Sequence, residues 1–373
     1  MKLLENEGAR LAVGFLIAAV IAAPVFVVKY SRDSANTPPV VEQPAISSSE
    51  ADKPPPVSPP VSAPVSPLGS PLDSLIGPGP AGLELGLEPS VRDAVNAARA
   101  AAAEAAITAT QARSSQMRAR DISSRARTAA ERARNAAVRA RDAAQKGESR
   151  VPGFGILTGT NTEKLSWRYA GELTNNGIRK GAGVIAFSNG QRYEGEWDDL
   201  LNGYGVYAFP SGERFEGEFR NDRRNGLGVH SYSDGGSYEG EQHDDSRSGF
   251  GIQAFDDGAH YEGEYRAGSK TAGVYLFPDG DHYEGGFRNE KLGGVGVYYG
   301  GNSRQYREEA GEFVDDALNG HAVIRWKDGS RDEGTWKDAK LDGYAARFDA
   351  KGAVVEQGSF SGGELRSVQK IGR

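Results

Sequence analysis

One short phrase returns nine times in the second half of this 373-residue chain. It reads YAGEL at Tyr169–Leu173, YEGEW at Tyr193–Trp197, FEGEF at Phe215–Phe219 and YEGEQ at Tyr238–Gln242. YEGEY follows at Tyr261–Tyr265 and YEGGF at Tyr283–Phe287, then EAGEF, DEGTW and EQGSF start at Glu309, Asp332 and Glu356. The starts lie 24, 22, 23, 23, 22, 26, 23 and 24 residues apart. A unit that short cannot shelter a core alone, so the units must cover one another in an array.

Alternation along a strand assigns the faces. Tyr193, Gly195 and Trp197 share one face, and Glu194 and Glu196 share the other. A second phrase between the copies, Gly203-Tyr204-Gly205-Val206-Tyr207-Ala208-Phe209, places Gly203, Gly205, Tyr207 and Phe209 in one row. Rings seated over the glycines of neighbouring strands would fill the missing side-chain volume. The structural set is therefore Tyr193, Gly195, Trp197, Gly203, Gly205, Phe215, Gly217, Gly226, Gly228, Tyr238, Gly240, Tyr261, Gly263, Tyr283 and Gly285. Asn189-Gly190, Ser211-Gly212, Asp234-Gly235, Asp257-Gly258, Asp279-Gly280 and Asp328-Gly329 are expected as closing turns with positive φ.

These phased phrases resemble the MORN repeat over about 190 residues. The resemblance implies a mainly β fold: one elongated antiparallel sheet of about nine stacked hairpins, over 169–365. At ~4.8 Å per strand such a sheet would run roughly 85 Å. Residues 151–168 are expected as lead-in strands and 366–373 as a tail. The aromatic start is lost at Glu309, Asp332 and Glu356, and the second glycine becomes Ala322 and Ala345, so the last units are either divergent or an end cap. The family is associated with scaffolding, self-association and phospholipid contact. Some MORN arrays in plants precede a phosphatidylinositol phosphate kinase domain, but no length remains here for one and no catalytic-loop or DFG motif is present.

The first 150 residues cannot build a packed core. Of the 33 aromatic residues only Phe15, Phe26 and Tyr30 lie there. Within 1–32, Leu11–Val28 has no charge, and as a helix it would span about 27 Å, near the ~30 Å hydrocarbon thickness. The run is longer than a signal-peptide core, which favours an uncleaved transmembrane anchor over a cleaved leader. The flanking positive charges give a slight preference for the N-terminus inside, with the bulk outside the cytoplasm, at an inner or plasma membrane. Residues 33–89 are rich in Pro and Ser and read as a disordered tether.

Residues 90–147 read as one long helix. Ser90 and Asp93 make a start signal, Gly147 a stop, and no Gly or Pro lies between them. Val91, Ala98, Ala105, Ala112, Ala119, Ala126, Ala133 and Ala140 form one column of a seven-residue repeat. Ala101, Thr108, Ser115, Ile122, Ala129, Ala136 and Ala143 stand three places on, making an a/d seam of small residues. Arg92, Arg99, Arg113, Arg120, Arg127, Arg134 and Arg141 fall on a third column, and Arg118, Arg125, Arg132 and Arg139 on a fourth. The seam weakly resembles the alanine zipper of bacterial outer-membrane lipoproteins. Three readings stay open: a coiled coil or spacer rod, arginine contact with anionic lipid or envelope polymer, and a solvated single helix.

Charge is segregated, with −4 on 1–90, +7 on 91–150 and −10 on 151–373, which suggests two separate interaction surfaces. The chain has no Cys, so disulfides and thiolate chemistry are excluded. The GxG pairs are explained by the repeat and form no nucleotide loop. His260 and His282 sit one repeat apart, about 10 Å, too far for one metal ion. No cofactor, no nucleic acid and no catalysis is expected. The remaining constellation is the paired carboxylates Glu194/Glu196, Glu216/Glu218, Glu239/Glu241 and Glu262/Glu264, which share a face with Arg192, Arg214, His260 and His282. They read either as a cross-strand charge ladder or as a groove for a basic partner. The sequence thus points to a membrane-anchored, self-associating scaffold that docks a protein or cell-envelope partner, with direct binding of anionic lipid or polymer as the alternative.

Overall fold

The computed structural model describes residues 89–145, 153–162, 164–301 and 304–368. The apolar stretch Leu11–Val28 and the Pro-rich tether fall outside these residues. Among the described residues no helix is long and apolar enough to cross a membrane. One helix, α1, runs from Pro89 to Gln145, and its Ala-rich composition favours that state throughout. Pro89 occupies the first turn, where a missing N–H costs nothing.

Among the described residues nineteen strands follow. The first hairpin is β1 (Phe154–Thr160) with β2 (Ser166–Leu173). Then come β3 (Arg179–Phe187), β4 (Arg192–Asp198), β5 (Leu200–Ala208), β6 (Arg214–Arg220), β7 (Arg223–Ser231), β8 (Ser237–His243) and β9 (Ser246–Ala254). The middle of the array is β10 (His260–Arg266), β11 (Ser269–Leu276), β12 (His282–Arg288) and β13 (Lys291–Tyr299). The far end is β14 (Tyr306–Val314), β15 (Ala317–Trp326), β16 (Arg331–Lys337), β17 (Lys340–Phe348), β18 (Val354–Ser361) and β19 (Glu364–Val368). Each strand pairs antiparallel with its neighbours in the chain, as at Tyr193↔Tyr207 and Gly195↔Gly205, making one mainly β sheet of hairpin repeats. The sheet opens at Phe154, and β19 runs three residues into the expected tail.

Ring-over-glycine packing accounts for the recurrence of the phrase along this chain. Tyr193 is fully buried, and a Cβ added at Gly205 would strike its ring. Tyr193 lies edge-on to Trp197 and Phe219, with ring centroids 5.2 and 5.0 Å away, so neighbouring hairpins lock through T-shaped contacts. The far-end substitutions obey the same volume rule. Glu309 replaces the ring and Ala322 replaces the glycine that the ring would have covered. Asp332 and Ala345 repeat that exchange one hairpin later.

The expected closing turns carry their positive φ at the glycine. At Asn189-Gly190 only Gly190 has positive φ (86°), and the bonds Gly190 N–H to Phe187 O and Phe187 N–H to Gln191 O define a three-residue loop. The two-residue turns with positive φ at both places lie at the opposite edge, carried by Asn221-Asp222, Asp244-Asp245 and Asp315-Asp316. Their second residues tie hairpin to hairpin: Asp222 accepts from Leu201 N–H at 2.8 Å, and Asp316 from Leu292 N–H at 2.8 Å.

The helix corrects one expectation. Its small-residue seam packs neither on another helix nor against solvent; it lies along the sheet's glutamate face from β1 to β16. Ala133, Ala137 and Ala140 meet Ala170 and Val184, Ala126 and Ala130 meet Val206, and Ala102 meets Val297 and Ala310. The helix therefore runs opposite to the strand order. Its buried stripe is three columns wide, because Ala109, Ser123, Ala130 and Ala137 are buried beside the a and d columns. A stripe at i, i+3 and i+4 suits a flat sheet better than the narrower seam of a two-stranded coil.

Candidate functional site

A seven-residue step of helix rises about 10.5 Å, and two strand spacings span ~9.6 Å. Each heptad from Arg134 back to Arg113 therefore delivers an arginine to the next hairpin, and two of the heptads deliver a pair. Arg134 meets Glu194, Arg127 meets Glu216 at 2.6 Å, Arg120 meets Glu239 at 2.5 Å and Arg113 meets Glu262 at 2.6 Å. On the other flank, Arg132 reaches Glu196 at 3.0 Å and Arg118 reaches Glu241 at 3.1 Å. Moving seven residues toward the helix start moves one hairpin along the sheet.

The glutamates hold further partners. Arg192 and Arg214, on the same face, donate to Glu194 and Glu216 at 2.5 Å. Ser123 donates to Glu216, and Ser115 to Glu241 at 2.9 Å. The second carboxylate of each pair also steadies the strand bulge beside it. Glu196 accepts the Tyr204 N–H at 2.9 Å, Glu218 accepts the Leu227 N–H at 2.7 Å, and Glu264 accepts from the Thr271 hydroxyl at 2.9 Å. Arg125 pairs with Asp121 of its own helix at 2.9 Å, and Arg139 lies over the Phe154 ring at 5.8 Å. Arg141 is half-buried in its column. The two surfaces expected to act separately thus face each other.

A row of apolar residues on the glutamate face completes the seat: Val184, Val206, Val229, Ile252, Val274, Val297 and Val323, all buried. Sequence reasoning passed over this row. Its signal was plain, since a solvated charge ladder has no use for a β-branched residue between its carboxylates at every repeat.

The pattern lapses at β12. Ala106 stands where the next arginine would fall, one heptad before Arg113, and Gly286 stands where the second glutamate would be. Glu284 is 6% exposed with the His282 ring at 3.9 Å, and burial pushes its carboxyl up to about 7. At Glu262 burial acts in the same direction, but the hydrogen bond from His260 and the Arg113 charge outweigh it, holding the carboxyl below its ordinary range. A hollow of about 270 Å³ opens beside Gly285, Gly286, Gly293 and Gly294, with Glu104 and Arg288 at its rim.

The opposite face carries the rings. Tyr207 and Phe209 lie 4.8 Å apart, Phe255 and Tyr275 5.8 Å, Tyr275 and Phe277 4.7 Å, all half-buried. Arg179, Arg224, Arg247 and Lys270 stack beneath or beside rings of this face, with Arg179 at 4.7 Å from Trp197 and Arg247 at 4.9 Å from Tyr265. Among the described residues no group of three or more His, Cys, Asp or Glu is arranged to hold a metal ion.

The family model of the MORN repeat matches residues 193–214, 215–237, 272–282, 283–303 and 310–331. No curated protein matches the chain.

Proposed function

Because this chain is built on MORN repeats, we propose that it is a non-catalytic scaffold, anchored by Leu11–Val28, whose ring-bearing face docks a protein partner. The observation that carries the reading is the mutual neutralisation of the two charged surfaces. Arg113, Arg118, Arg120, Arg127, Arg132 and Arg134 are engaged by the sheet's own glutamates. The ladder is closed to a basic partner and these arginines are drawn away from anionic lipid or polymer. What stays open along the array is the ribbon of half-buried rings from Tyr207 to Phe277, the type of surface that anchors protein interfaces.

A photo-crosslinker placed at Tyr232 or Phe255 in the full chain, in its native membrane, should capture a partner, whereas one at Thr110 on the helix should not. Equal capture from Thr110 contradicts the reading. A salt titration addresses the lipid alternative: binding to anionic vesicles that collapses between 50 and 200 mM salt, on the order of the Debye screening range, would favour the helix arginines.

A further inference from the structure

Helix α1 stops short of the end of the sheet. Among the described residues its contacts run to β16 and fall away over β17 to β19 on the glutamate face. The chemistry of the surface changes at the same place. Gln357 and Ser359 occupy the positions of the paired glutamates, and Thr335 occupies one of them on β16. Register places Tyr344 beside Ser359, Ala346 beside Gln357, and Phe348 beside Val354 on this face. Tyr344 is 38% exposed, Val354 46% and Val355 66%, whereas Val206, on the same face but under the helix, is 2% exposed. The uncovered end is neutral and apolar, whereas the covered part is acidic.

The chain that enters α1 changes in the same way. Upstream of Pro89 there is no arginine until Arg32, and the sequence reads Ala81-Gly82-Leu83-Glu84-Leu85-Gly86-Leu87-Glu88. Because α1 runs opposite to the strand order, its first residue lies over the far end of the sheet, with β17 to β19 beyond it. Four residues from Pro89 back to Leu85 reach at most about 14 Å, and β16 to β18 is ~9.6 Å. We propose that Leu83–Leu87 continues the cover, laying its leucines on Tyr344, Phe348, Val354 and Val355. The arginine helix meets the acidic part of the sheet, and the leucine segment meets its neutral end. The N-terminal tether then leaves the array from its C-terminal edge.

The absence of cysteine makes the test clean. In the full chain, L85C is combined with V355C, and separately with V314C, which is also exposed (50% against 66%) but lies at the turn end of β14. Mild oxidation at low protein concentration should close the Leu85–Val355 bridge within one chain at least ten-fold faster than the Leu85–Val314 bridge. Equal rates would overturn the proposal. Bridges that form only between chains, through V355C on both, would also overturn it and assign the face to a second copy. An independent readout is hydrogen exchange of residues 83–87 in the full chain. It should quicken several-fold in Tyr344→Asp, a change at an exposed site that leaves the fold intact. An unchanged exchange rate contradicts the docking.

Discussion

Glu262 and Glu284 occupy the same position in successive YEG phrases, and each follows a histidine by two residues. The first faces Arg113, the second Ala106, and their carboxyls are displaced in opposite directions. The two faces of the sheet show the same division between the first hairpins and the last. Where Tyr193 is present its neighbour is Gly205, and where Glu309 replaces the ring its neighbour is Ala322. What this teaches is that the repeat is kept as a set of complementary pairs rather than as single residues, so a far-end unit that looks degraded in one position is matched in another.

The aromatic pairing offers the hardest break. Gly205→Ala drives a methyl group into the Tyr193 ring and should destabilise the chain by about 3 kcal/mol in denaturant unfolding. At the equivalent far-end position Ala322→Gly should instead lose only about 1 kcal/mol, through a vacated methyl and a looser backbone. On the other face, Ala126→Leu lifts the helix from Val206 and should lose about 2 kcal/mol, read in the same assay. Arg127→Ala should lose only about 1 kcal/mol, since the guanidinium is half exposed and Glu216 keeps Ser123 and Arg214.

Ala106→Arg should erase the difference between the two glutamates. It supplies Glu284 with the arginine that Glu262 already has, for a gain below about 1 kcal/mol. The pH dependence is the sharper signature. A carboxyl whose folded value is raised to about 7 gives stability that is present at low pH and fades as pH rises through that value. The unmodified chain should therefore lose thermal stability as pH rises from about 4.5 to about 7, and Ala106→Arg should flatten Glu284's part of that slope. Glu309, also raised to about 7 by burial, keeps its own part in both chains. His282, held below its ordinary value by burial, adds a slope of the opposite sign below that ordinary value, and does so in both chains.

The hairpins, the two faces of each strand and the seat of Tyr193 over Gly205 were legible in the sequence, because alternation and a fixed pitch leave few alternatives. The long helix was legible too, from its composition and from the start at Ser90. Its destination was not taken from the sequence, although both halves of the message are there. The arginine period of seven residues and the glutamate period of about 23 each look self-contained. They coincide only when converted to length, through 1.5 Å per helical residue and ~4.8 Å per strand. The valine row from Val184 to Val323 carried the same message in another form. The two-residue turns at Asn221-Asp222 and Asp244-Asp245 escaped notice for a different reason: they lack glycine, and a side-chain carboxylate bound to the next hairpin's backbone holds the left-handed conformation instead.

Register between helix and sheet is what binds these observations together, and cysteine pairs read it. In the full chain, Ala126→Cys with Val206→Cys should form a disulfide readily, and Ala133→Cys with Val206→Cys, one heptad out of step, should not. Equal trapping of both pairs, or of neither while the chain stays folded, would contradict a helix whose arginines are counted off against the hairpins.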